Sequence, residues 1–126
     1  MKGSLAEKIH EELTVLELRD RIAAACAQAK GMELAVLNVR NVSDLADYFV
    51  IVSGRSDRQV QGIGNRILDA AAQHGVYPIS VEGFDTGHWI LLDFGEIVVH
   101  VFYEATRAHY DLEHLWSRAE QVELQP

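Results

Sequence analysis

Cysteine is almost missing from this chain. Cys26 stands alone, so no disulfide can form within it, and a reducing compartment suits that composition. Proline is equally scarce, with two in 126 residues, while 48% of the chain is hydrophobic; that balance argues against disorder. Basic charge is short as well: 11 Lys and Arg stand against 19 Asp and Glu, a net charge of −8. An acidic surface repels phosphate, so direct nucleic-acid specificity is not expected, whereas encounter with a basic protein is favoured. No run approaches 18 uninterrupted apolar residues, and the opening "MKGSLAEKIHEEL" has no apolar export segment. Neither a membrane span nor secretion is expected, and the protein reads as cytoplasmic.

What remains is enough for one ordinary core, because a chain of this length buries roughly two-thirds of its unfolded surface. Residues 1–12 read as a flexible N-terminus, 13–120 as one domain and 121–126 as a C-terminal tail. Thr14 and Glu17 form a T-x-x-E capping box, followed by apolar residues at helical spacing from Val15 to Ala29 and by Lys30-Gly31 as a stop. "ELAVLNV" (33–39) and "DYFVIVSG" (47–54) are nearly continuous apolar runs, the pattern of strands covered on both faces. Ser56 and Gln59 suggest a second capping box, opening a helix that ends near Gly75. Gly62 and Gly64 inside it imply close packing or a tolerated weak turn. A short strand "PISVE", a turn-rich "GFDTG", a hairpin and a last helix from about Asp111 complete the chain. This order predicts a single α/β domain with a mixed central sheet and flanking helices.

Catalytic patterns are sparse. The Ser53-Gly54-Arg55-Ser56 turn opens a helix, as a phosphate-holding turn of a nucleotidyltransferase would. That chemistry also needs carboxylates paired on neighbouring strands to hold metal ions, and no Asp-x-Asp or Asp-x-Glu lies on an expected strand. The six histidines show no ligand spacing, so neither a metal nor any other cofactor is expected. Cys26 falls on the apolar stripe of the first helix, where it reads as a small core residue.

The hairpin "HWILLDFGEIVVHVF" (88–102) is the most informative stretch. With a two-residue Phe94-Gly95 loop, Trp89 would face His100, Leu91 would face Val98 and Asp93 would face Glu96. Alternation gives one purely aliphatic face, Ile90, Leu92, Ile97, Val99 and Val101. The opposite face mixes Trp89, Leu91, Asp93, Glu96, Val98, His100 and Phe102. One reading is that the last helix covers this mixed face, with Leu115 and Trp116 packing on Val98 and Phe102. The other is that Trp89, Leu91 and Asp93 stay accessible at its rim, an apolar anchor with acids that select a basic partner.

"DYFVIVSGRSDRQV", "VEG", "HWILLDFGEIVVHVF" and "RAHYDLEHLW", in that order over roughly residues 13–117, resemble the Iojap family, the ribosomal silencing factors. Gln59 stands where the family often has histidine, and Glu96 where aspartate is common. The resemblance implies a nucleotidyltransferase-like fold without the catalytic carboxylates, and a binding role rather than an enzyme. It implies docking on the large ribosomal subunit through ribosomal protein fourteen, obstruction of small-subunit joining and repression of translation under nutrient limitation. Large-subunit assembly is the duty of organellar relatives, and self-association as a homodimer is implied too. On this basis the expected partner-binding residues are Trp89, Leu91, Asp93, Glu82, His100 and Tyr110. A metal-dependent nucleotidyltransferase using the Ser53–Ser56 turn, or an assembly factor, is the alternative.

Overall fold

The computed structural model describes residues 13–115 and 117–123. Helix α1 (Val15–Gln28) opens as expected: the Thr14 hydroxyl accepts from the Glu17 amide and the Glu17 carboxylate accepts from the Thr14 amide. Its exit differs from expectation. Lys30, not Gly31, takes the left-handed conformation at φ 61°. The Lys30 amide donates to Ala27 O and the Gly31 amide to Cys26 O, the two bonds of a Schellman turn. Gly31 is needed for space instead, since a Cβ there would lie 2.5 Å from Val52 Cγ2.

Strands β1 (Met32–Asn38) and β2 (Tyr48–Gly54) follow, then helix α2 (Asp57–Ala72), strand β3 (Ser80–Glu82), and the hairpin strands β4 (Trp89–Asp93) and β5 (Ile97–Tyr103). The second capping box is only half formed. The Ser56 hydroxyl caps the Gln59 amide, but the Gln59 side chain accepts from Arg55 N and donates to Lys30 O. Gly64 is a close-packing glycine, because a Cβ there would meet Phe84 at 2.7 Å, whereas Gly62 faces open space.

The six-stranded sheet has the order β3-β4-β5-β2-β1-β6, where β6 is Glu120–Gln121. Only β2 and β5 run parallel; the other neighbours are antiparallel, so the sheet is mixed as expected. Every residue of central β2 is buried, which explains its unbroken apolar run. Helices α1 and α2 cover one face. Their side chains meet Val36, Val50, Val52, Ile90, Leu92, Ile97, Val99 and Val101 in the larger core. The aliphatic hairpin face expected from alternation is therefore the face against the helices.

Two expectations for the C-terminal third are corrected. The last helix begins at residue 104 rather than 111: α3 (Glu104–Tyr110) follows β5 directly and stops where Asp111 turns left-handed at φ 46°. A single further turn, α4 (Leu112–Leu115), comes after it. The chain beyond residue 119 returns to the sheet, with Gln121 opposite Leu37 and the Val122 amide donating to Val36 O. The expected flexible N-terminus (1–12) and the packing expected of Leu115 and Trp116 lie outside the described residues and side chains.

Candidate functional site

The hairpin register is offset by two residues from the expected one. Its loop is Gly95-Glu96: the Phe94 amide donates to Ile97 O, and Gly95 takes φ 92°, the conformation that the first central position of a II′-type turn requires. Trp89 therefore faces Phe102, Leu91 faces His100 and Asp93 faces Val98. An offset of two preserves the alternation, so each side chain keeps its face although each has a different partner.

Carried across the sheet, these pairings define the mixed face as rows. Glu82, Leu91, His100 and Ile51 form one row; Ser80, Asp93, Val98, Phe49 and Leu37 form the next. The β2–β1 half of this face is covered: Leu37, Phe49, Ile51 and Phe102 pack with Leu112 in a second core, against which Val98, Trp89 and Ala119 also lie. Leu112, and not the expected Leu115 and Trp116, is the described residue of the last turn in that second core. On the β3–β4 half, Tyr110 of α3 reaches Trp89, Leu91 and Asp93 are half-buried, and Glu82 is exposed.

Trp89 sits at the boundary between the two halves and is half-buried. Its indole stacks on Phe102 with centroids 4.9 Å apart and meets the Tyr110 ring at 4.7 Å. The indole Nε1–H donates to His100 Nδ1 over 3.1 Å. Its place in the chain is set by the loop before it: Gly83, at φ 88°, backs so closely on Trp89 O that a Cβ would collide. Tyr110, at the end of α3, is 51% exposed. Together with His88, Tyr103 and His109 these rings line a shallow groove of about 500 Å³.

The other expected residues are placed less uniformly. Leu91 is half-buried in mid-strand, and Glu82 is exposed on the edge strand. Asp93 is half-buried, and its Oδ1 accepts the Gly95 amide at 2.8 Å, so part of its role is to hold the turn. His100 lies beneath the surface at 6% exposure, with its ring edge-on to Phe49 at 5.1 Å. Burial among apolar groups lowers its pKa to about 4. His100 reaches the rim only through the indole it supports. Asp85, Glu104 and Asp111, in the segments before β4 and at the two ends of α3, are exposed.

The Ser53–Ser56 turn has both hydroxyls engaged. Ser53 is buried and its Oγ accepts from the Arg107 guanidinium at 2.9 Å, while Ser56 caps α2. Arg107 is itself buried, a structural arginine that sequence reasoning noted only within the resemblance; its position after a strand carried no periodic signal. Cys26 is buried, and desolvation raises its thiol pKa to about 12. Among the described residues no three His, Cys, Asp or Glu side chains gather as a metal site, and no helix is long and apolar enough to cross a membrane.

Fold and face together define a class: a single mixed-sheet α/β domain that presents an aromatic rim and an acid-flanked sheet face. A family model described as "Ribosomal silencing factor during starvation" matches residues 12–126. A protein of Bacillus subtilis strain 168 named ribosomal silencing factor is 42% identical over 102 residues, covering 81% of this chain and 86% of that protein. "Protein Iojap, chloroplastic" of Zea mays is 32% identical over 105 residues, 82% of this chain and 45% of that protein. A Bacillus halodurans crystal structure superposes with TM-score 0.78 at 36% identity, over 86% of this chain and 99% of that one. One from Chromobacterium violaceum reaches TM-score 0.81 at 28% identity, over 90% and 93%. The chain belongs to the ribosomal silencing factor family.

Proposed function

We propose that this protein represses translation sterically: it docks on the large ribosomal subunit through ribosomal protein fourteen and blocks small-subunit joining when nutrients are scarce. No bond is made or broken. The observation that supports this reading best is the β3–β4 half-face, with half-buried Trp89 and Leu91 as apolar anchors and Glu82 and Asp93 beside them. An anchor whose surroundings exclude water, ringed by charges, is the anatomy of a binding hot spot. A net charge of −8 suits a basic ribosomal protein better than exposed RNA.

Trp89→Ala tests the anchor. Loss of a buried interfacial tryptophan costs about 2 kcal/mol or more, roughly a 30-fold drop in affinity. Cosedimentation with purified large subunits, and light scattering of subunit joining, should both show that drop. The same variant's thermal midpoint is measured alongside, because the stack on Phe102 is also lost. A folded Trp89→Ala that still sediments with large subunits and still blocks joining would remove the anchor. Self-association through the same face would compete with docking, so sedimentation of the free protein should show a weaker dimer in that variant.

A further inference from the structure

Among the described residues, one buried side-chain polar atom has no hydrogen-bond partner: Nε2 of His100. The imidazole's other nitrogen accepts the Trp89 indole proton, so Nδ1 is bare and the ring's single proton sits on Nε2. Burial keeps the ring neutral at physiological pH. The ring therefore carries a desolvated N–H that no described residue accepts, a feature that costs folding free energy. Its surroundings would accept a phenyl ring without that cost: Phe49 meets it edge-on, Phe102 lies parallel to it at 6.2 Å, and Leu91 and Ile51 flank it in the sheet. Among the described residues, the one hydrogen bond that the histidine makes here and a phenylalanine could not is the one to Trp89.

That bond does something stacking cannot. Phe102 and Tyr110 hold the plane of the indole, but ring–ring contact hardly distinguishes one in-plane orientation from another. The N–H···Nδ1 bond does distinguish them, turning the polar edge inward and leaving hydrocarbon at the rim. We infer that His100 is a positioning residue, which holds Trp89 in its docking orientation through Nδ1 and tolerates an unpartnered Nε2–H in order to do so. The inference rests on the docking function proposed above and deepens it: His100 touches no partner, yet sets how well the anchor is preorganised.

Two variants separate positioning from stability. His100→Phe keeps ring and volume, deletes the acceptor and removes the orphaned N–H. Its thermal midpoint should equal or exceed that of the parent, while large-subunit affinity falls roughly three- to tenfold. His100→Asn places an oxygen where Nδ1 was, at a cost in packing. Its midpoint should drop, yet its affinity should stay within about twofold of the parent. The indole is read directly as the Trp89 N–H resonance in ¹⁵N-labelled protein, assigned with Trp116→Phe. That proton should exchange slowly in the parent and in His100→Asn, and fast in His100→Phe.

His100→Phe binding as tightly as the parent, or an indole proton equally protected in that variant, overturns the inference. Affinities that simply follow the midpoints of the two variants overturn it as well. Should the parent itself fail to sediment with large subunits, the docking reading fails, and the indole exchange alone decides whether His100 holds Trp89.

Discussion

His100 connects a single atom's environment to the stability of the whole chain. Its folded pKa is near 4, against 6.5 for a free imidazole, because apolar neighbours strip its charged form of water. The unfolded chain thus binds the proton more readily, and stability falls as the pH drops from about 6.5 towards 4. The loss approaches about 3 kcal/mol at the lower end and is absent above neutrality. Urea unfolding at pH 7 and pH 5 should show about 2 kcal/mol of this loss, and His100→Phe should abolish the part that histidine causes. An identical slope in both proteins would assign the acid sensitivity elsewhere. The residues of this site were legible because alternation in 88–102 put Trp89 and His100 on one face. Their contact was expected as a direct cross-strand pair. It is a diagonal one, since Trp89 faces Phe102 and His100 faces Leu91.

At the scale of elements, periodic segments were read well and their junctions less so. The α1 stop shows why. A glycine one residue late in sequence looked like the cap, yet packing against Val52 claims Gly31, and the left-handed position falls on Lys30. Lys30→Gly should therefore stabilise the protein by about 0.5–1 kcal/mol, because an L-residue in the left-handed region is strained. Gly31→Ala should destabilise it. Chemical denaturation of the two variants checks both signs, and a stabilising Gly31→Ala would mean that the close approach to Val52 relaxes freely. The missed start of α3 has a related cause. Glu104 begins a helix directly after a strand, and Tyr103 offers no side-chain cap, so no local signal marked the boundary. At Asp111, where spacing predicts a helix start, the chain instead breaks α3 in a left-handed turn.

Across the whole molecule, the two faces of one sheet do different work. The face under α1 and α2 is sealed by aliphatic side chains, and on the other the described second core gathers on the β2–β1 half. An acidic protein approaching a basic surface through the β3–β4 half is steered by charge, and steering appears chiefly in the association rate and its salt dependence. Glu82→Gln combined with Asp93→Asn removes two charges, while the asparagine can still accept the Gly95 amide that the aspartate accepts now. Association with large subunits should slow several-fold at low salt and converge on the parent rate at high salt. Equal rates across the salt series would exclude these two acids from the encounter.

Apolar spacing along the chain was enough to dictate α1, α2, the strands up to β5 and the aliphatic hairpin face, because each depends on residues within a turn or two of one another. The family was legible for a similar reason: its signature lies in four short ordered segments. Tertiary structure alone decided the hairpin register, the side of the mixed face on which the second core forms, and the burial of His100 beneath Trp89. Those outcomes depend on how distant segments share volume. A glycine turn placed one residue later, or a C-terminal segment returning over β1 instead of β4, leaves local patterns unchanged while exchanging every cross-sheet neighbour.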